Sequence, residues 1–169
     1  MKPLPLKSQY IYSKTPWLSW RELFFGLENG YIDEKTLSEY VCDALNSTSP
    51  PEAFELASLE PQENHLARNL LKSLNEKYSS TESDPTKPWI FLLLSYLFEN
   101  KEKYDDPLGI VEQLYADFDY PEEISPLVRY MPLPEGVEGS EDLLLQNWRT
   151  ALSNYESVFS HQDRTQNKN

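Results

Sequence analysis

Apolar residues recur along the chain at spacings of three and four, and the runs break at proline, glycine and short polar residues. This is the punctuation of helices. Thr15-Pro16 opens a first segment with Trp17, Trp20, Phe24 and Leu27 on one face, and Asn29-Gly30 ends it. Asp33 caps a second, with Leu37, Tyr40, Val41 and Ala44/Leu45 inward. Ser49-Pro50-Pro51 starts a short third helix holding Phe54 and Leu59. A fourth follows Pro61, with Leu66, Leu70, Leu71 and Leu74 inward and Arg68, Lys72 and Glu76 outward.

Residues 79–87 (SSTESDPTK) read as a polar linker. Lys87-Pro88 then opens the most apolar helix, Trp89 to Glu99, which lacks a polar face and is expected at the centre of a core. Asp106-Pro107 leads into Leu108, Val111, Leu114/Tyr115 and Phe118; Tyr120-Pro121-Glu122-Glu123 starts a short helix through Val128. The stretch 131–139 reads as a loop. Ser140 begins a long last helix with Leu144/Leu145, Trp148, Leu152, Tyr155 and Phe159 inside. These elements predict an all-α protein of about eight helices in one globular or stacked helical-hairpin domain, residues 16–160. An extended segment, 1–15, precedes it and a frayed polar tail, 161–169, follows. No internal repeat supports the stacked form over the globular one. The halves on either side of the linker are compatible with two layers of one domain.

Composition narrows the partners. The 169 residues carry 28 acidic against 15 basic side chains, a formal charge of −13. Such a surface repels phosphate backbones and anionic lipid and suits a basic protein. A single cysteine, Cys42, excludes an intrachain disulfide and a cysteine-based zinc site; beside the apolar stripe of the second helix it reads as a small buried hydrophobe. The start MKPLPLKSQYIY has no apolar run of signal-peptide length, and no apolar run is long enough for a membrane span, so a cytoplasmic protein is expected.

Catalytic patterns are scarce. With five glycines there is no phosphate-cradling loop, and neither a G-x-S-x-G elbow nor an H-E-x-x-H pair occurs. Of the two histidines, His161 falls in the tail and His65 reads as a surface polar residue beside Glu63 and Asn64. No cofactor is expected. Asp117-Phe118-Asp119 is the one pattern with a chemical look, since two carboxylates can hold Mg²⁺ or Mn²⁺. The α/β nucleotide-binding sheet that accompanies such a pair elsewhere is missing, so the plainer reading has Phe118 in the core and the acids flanking it at a helix end.

The acids are unevenly spread. Residues 99–123 hold nine of them against Lys101 and Lys103, which places −7 of the −13 in that segment. Asp106, Glu122 and Glu123 have local roles as a cap and in a first helical turn. That leaves Glu99, Glu102, Asp105, Glu112, Asp117 and Asp119 as candidate partner-binding residues, interleaved with Tyr104, Tyr115 and Tyr120. Tyrosine gives a rigid contact area with a polar tip, although Tyr115 has the spacing of a core residue. Neutralising Glu112, Asp117 and Asp119 is expected to slow association with a basic partner and to leave stability nearly unchanged, unless Asp117 or Asp119 pairs with Arg129.

The run Tyr115-Ala-Asp-Phe-Asp-Tyr-Pro121, followed by Val128-Arg-Tyr-Met-Pro132, resembles bacterial domain-of-unknown-function family 2247. The Trp89…Leu97 helix, Asp106-Pro107-Leu108 and Trp20-Arg-Glu-Leu-Phe-Phe-Gly26 are similar to that family as well. The likeness spans roughly Trp17 to Trp148. It implies an association with immunity proteins of polymorphic toxin systems, hence a non-enzymatic protein that binds and neutralises a cognate toxin, a basic nuclease-like one by charge. The resemblance transfers no contact residue. A helical scaffold or adaptor without a toxin partner, and a metal-dependent enzyme using Asp117 and Asp119, are the alternatives.

Overall fold

The computed structural model describes residues 4–78, 84–133, 135–136 and 138–161. Most of the predicted linker, and the tail beyond 161, lie outside the described residues. Among those described are eight α-helices and no strand: α1 (Ser8–Lys14), α2 (Trp20–Glu28), α3 (Glu34–Ala44), α4 (Pro51–Ala57), α5 (Ala67–Tyr78), α6 (Lys87–Glu99), α7 (Pro107–Asp117) and α8 (Glu141–His161). The all-α expectation holds. Short 3-10 turns occupy Pro61–Leu66, Lys101–Lys103 and Glu122–Leu127. No helix among the described residues is long and apolar enough to cross a membrane. Contacts group the described chain into two compact units, residues 4–89 and 90–161, divided within α6.

In the first unit, local capping chemistry sets the helix boundaries. α2 begins at Trp20 rather than at Pro16, because Ser19 and Glu22 form a reciprocal capping box: the Ser19 hydroxyl accepts from the Glu22 N–H at 3.1 Å and the Glu22 carboxylate from the Ser19 N–H at 2.9 Å. Thr15, read from the sequence as a helix start, instead closes α1, its hydroxyl donating to the Ile11 carbonyl at 2.8 Å. Residues 8–14 are therefore helical, not extended. Two helical turns without a side-chain N-cap are weak alone, but Ile11 is buried and α1 packs on α3. Asp33 caps α3 as its position predicts, accepting from the Thr36 N–H at 2.8 Å. Tyr40 ties the connection between α1 and α2 to α3: its hydroxyl donates to the Thr15 carbonyl at 2.5 Å and accepts from the Leu18 N–H at 3.1 Å.

Burial corrects several inward assignments. α2 turns Leu23, Gly26 and Leu27 inward, leaving Trp17, Trp20 and Phe24 half-buried. α4 buries Ala53 and Leu56, while Phe54 is 44% exposed. Leu66 is also exposed: it ends a 3-10 turn, whose three-residue period puts it out of phase with the Ala67, Leu71 and Leu74 stripe of α5. Cys42 is exposed rather than buried, one position past the Val41 that the core takes.

Trp89 is fully buried. Its indole N–H donates to the Glu22 carbonyl at 2.7 Å, and its ring occupies the space left by the missing side chain of Gly26, where an added Cβ would lie 2.6 Å from Trp89 Cε2. Tyr31 stacks on the same ring with centroids 5.9 Å apart.

In the second unit every residue of α6 from Ile90 to Ser95 is buried, as its lack of a polar face predicts. α8 lays Trp148, Ala151, Tyr155 and Phe159 inward; Leu152 is only half-buried. The Trp148 indole donates to the Leu94 carbonyl at 3.2 Å and its ring meets Phe98 edge-on at 5.2 Å. The Glu122–Leu127 turn, predicted as a short helix, buries Ile124 and Leu127 and packs against both α7 and α8.

The Gly26–Trp89 contact generates a stability prediction. Gly26→Ala forces a methyl group into the indole and is expected to cost about 2 kcal/mol, the usual range for overpacking, measured by urea unfolding. Unchanged stability would mean that the Trp89 ring has room to retreat.

Candidate functional site

The sequence between Lys103 and Arg149 contains one basic residue, Arg129, among many acids. The fold uses it as a clamp. Its guanidinium donates to both oxygens of Asp106 at 3.1 Å, and to Glu112 through Nε at 2.8 Å and Nη2 at 3.0 Å. Its backbone N–H also donates to Glu112 at 3.2 Å. Two bidentate pairs on one planar fork fix the chain after the Glu122–Leu127 turn to the first half of α7. Asp106 serves twice, because it also caps α7 by accepting from the Gly109 N–H at 3.2 Å. Gly109 is what lets that carboxylate sit so close: an added Cβ would lie 2.9 Å from the Asp106 Cγ. The hydrogen bonds from Arg129 hold the Asp106 and Glu112 carboxyls below their ordinary pKa, and the two acids hold the guanidinium above its own.

Beyond the clamp, α7 ends in a tight reversal. Phe118 is the C-cap; Asp119 and Tyr120 follow with φ of 64° and 58°, the left-handed region that glycine prefers. The Tyr120 N–H donates to the Tyr115 carbonyl at 2.7 Å and the Asp119 N–H to the Ala116 carbonyl at 3.1 Å. This is a Schellman cap with aspartate in the glycine position. Its usual apolar contact is made by the Tyr115 and Tyr120 rings, edge-on at 5.2 Å, and Pro121 prevents further helix. The run Tyr115–Pro121 thus has a local explanation, namely a helix stop. What the stop displays is a separate matter. Tyr120 is 59% exposed and Tyr130 is 63% exposed. Partial desolvation, followed by the influence of Tyr115, Tyr120 and Glu112, pushes the Tyr130 hydroxyl above its usual pKa.

The six acids singled out from sequence separate into distinct settings. Glu112 belongs to the Arg129 clamp and is half-buried. Arg129 therefore pairs with Glu112 and Asp106, not with Asp117 or Asp119. Asp117, the last residue of α7, and Asp119, in the turn, are exposed and make no side-chain hydrogen bond or ion pair with another described residue. Glu102 and Asp105 are exposed around the Lys101–Lys103 turn, and Glu99 is exposed at the end of α6. Tyr104 is half-buried and hydrogen-bonded to Tyr96. Tyr130 was not singled out from sequence, where nothing marks it as more exposed than other tyrosines. Among the described residues, no three His, Cys, Asp or Glu side chains form a group able to hold a metal ion.

The model of a family described as an uncharacterised protein conserved in bacteria, DUF2247, matches residues 9–156, and the chain belongs to that family. No curated protein and no solved structure matches it.

Two predictions separate structural acids from displayed ones. Glu112→Gln is expected to destabilise by about 1 kcal/mol at neutral pH, a value discounted for the solvent around Arg129. Because the folded carboxyl pKa lies below the unfolded one, this contribution is complete above the ordinary carboxylate range. It fades as pH falls through the folded value, so wild type and variant should converge in thermal melts taken on the acid side of the ordinary carboxylate range. Asp119→Gly, in contrast, relieves a left-handed aspartate and is expected to stabilise by about 1 kcal/mol. A destabilised Asp119→Gly would show that the carboxylate itself holds the turn.

Proposed function

We propose that this chain is a non-enzymatic immunity-type protein that binds and neutralises a cognate bacterial toxin domain, a basic one of nuclease character, in the cytoplasm. The observation that carries the reading is the turn after α7. It displays Asp117, Asp119 and the ring of Tyr120 outward, with the two carboxylates unengaged by other described side chains. Acids beside an exposed rigid aromatic suit lysine and arginine side chains, through charge and cation–π attraction. A protein of charge −13 can also cover the surface with which a nuclease binds phosphate.

Strain supports the same reading. Glycine would satisfy the turn better than Asp119, so an aspartate held at φ 64° is a residue whose side chain has a use that the helix stop does not require.

The test pairs stability with association. The double variant Asp117→Asn/Asp119→Asn, mixed with a basic toxin domain that wild type binds, is expected to associate about tenfold more slowly at low salt. The deficit should shrink as salt is raised, with melting nearly unchanged. A folded double variant that associates and protects cells as well as wild type at low salt would remove the reading.

A further inference from the structure

The second unit contains a groove of about 660 Å³ between the chain that leaves the Glu122–Leu127 turn and the first turns of α8. Its wall is apolar, formed by Pro126, Val128, Met131, Leu133, Leu143 and Leu144. Leu133 remains 43% exposed there, resting on Gly139, where an added Cβ would lie 2.9 Å from its Cδ1. Polar groups along the groove already have partners. The Asn147 amide donates to the Pro126 carbonyl at 3.0 Å, and the Ser140 hydroxyl accepts from the Leu143 N–H at 3.1 Å. Arg129, the one cation lining the groove, is held by Asp106 and Glu112.

The surrounding charge identifies the kind of occupant. Between Tyr130 and Trp148 the chain carries Glu135, Glu138, Glu141 and Asp142, all exposed, and no lysine or arginine. Glu141 and Asp142 suit the first turn of α8, but Glu135 and Glu138 precede the helix. These acids flank the groove-lining residues Leu133, Gly139 and Ser140 in sequence; an anionic lipid is repelled by them, and so is a second copy of a chain of charge −13. We propose that the groove takes the apolar edge of a basic amphipathic segment of a partner protein, with leucine-like side chains entering between α8 and Leu133 and lysines or arginines facing the acids. This deepens the immunity reading, on which the identity of that partner as a toxin domain rests; the docking chemistry itself does not depend on it.

The experiment uses the isotope-labelled full chain and three synthetic helical peptides of roughly 14 residues. One carries leucines on one face and lysines elsewhere, the second replaces the lysines by glutamates, and the third keeps the lysines and replaces the leucines by serines. The leucine–lysine peptide is expected to shift amide signals centred on Met131, Leu133, Leu143 and Leu144. Both other peptides should bind at least about tenfold more weakly, as should the first peptide to Leu133→Ser, a change at an exposed position whose folding is checked by its amide spectrum. Equal binding of the serine peptide, shifts centred elsewhere, or an unaltered affinity in Leu133→Ser would overturn the proposal. Groove docking by a chain that neutralises no toxin would leave this inference standing and remove the immunity reading. Toxin neutralisation undiminished in Leu133→Ser would leave the immunity reading standing and remove the toxin domain as the groove's occupant.

Discussion

A buried indole must find an acceptor for its N–H, and each unit is organised around one tryptophan that does so on a helix backbone. Trp89 donates to the Glu22 carbonyl and Trp148 to the Leu94 carbonyl, both side chains fully out of solvent. An unsatisfied indole N–H in an apolar interior costs more than a typical hydrogen bond contributes, so these contacts fix distance and orientation as well as packing. Neighbouring features follow from them. Gly26 must lack a side chain because the Trp89 ring lies against it, and α2 must therefore turn Leu23 and Leu27 inward with it. Phe98 is placed edge-on against Trp148, and Lys101 lies over its ring, 3.6 Å from the centroid.

The second unit divides its acidic residues between two tasks. Asp106 and Glu112 are held by Arg129 and fasten the chain after the Glu122–Leu127 turn to α7. Asp117 and Asp119 have no such partner among the described residues and stand on a helix stop whose backbone would be more comfortable with glycine. Stability and display oppose each other at that turn, whereas at the clamp charge and stability agree. Sequence already set Asp106 apart as a cap; Glu112 is separated from Asp117 and Asp119 only by geometry, because Arg129 chooses its partners by where the chain brings it.

The sequence by itself determined what depends on neighbours within a few residues. Asp33, Asp106 and Ser140 cap the helices they precede, since a cap needs only an oxygen and an N–H three positions on. The apolar run of α6, interrupted by Ser95 alone, determined its burial, and the 3.6-residue spacing determined an all-α chain of about eight helices. Tertiary structure decided the rest. Residues 8–14 became α1 through burial of Ile11, a contact no local signal announces. Phe54, Leu66 and Cys42 face solvent because the phase of each helix is set by what it packs on, and a 3-10 turn before α5 shifts that phase. Arg129 joins Asp106 and Glu112 across 23 and 17 positions, a choice that side-chain chemistry permits for any nearby acid and that only chain placement resolves. Capping is short-range and directional and can be read from order alone; ion pairing and burial are long-range, and their partners exist only once the chain has folded.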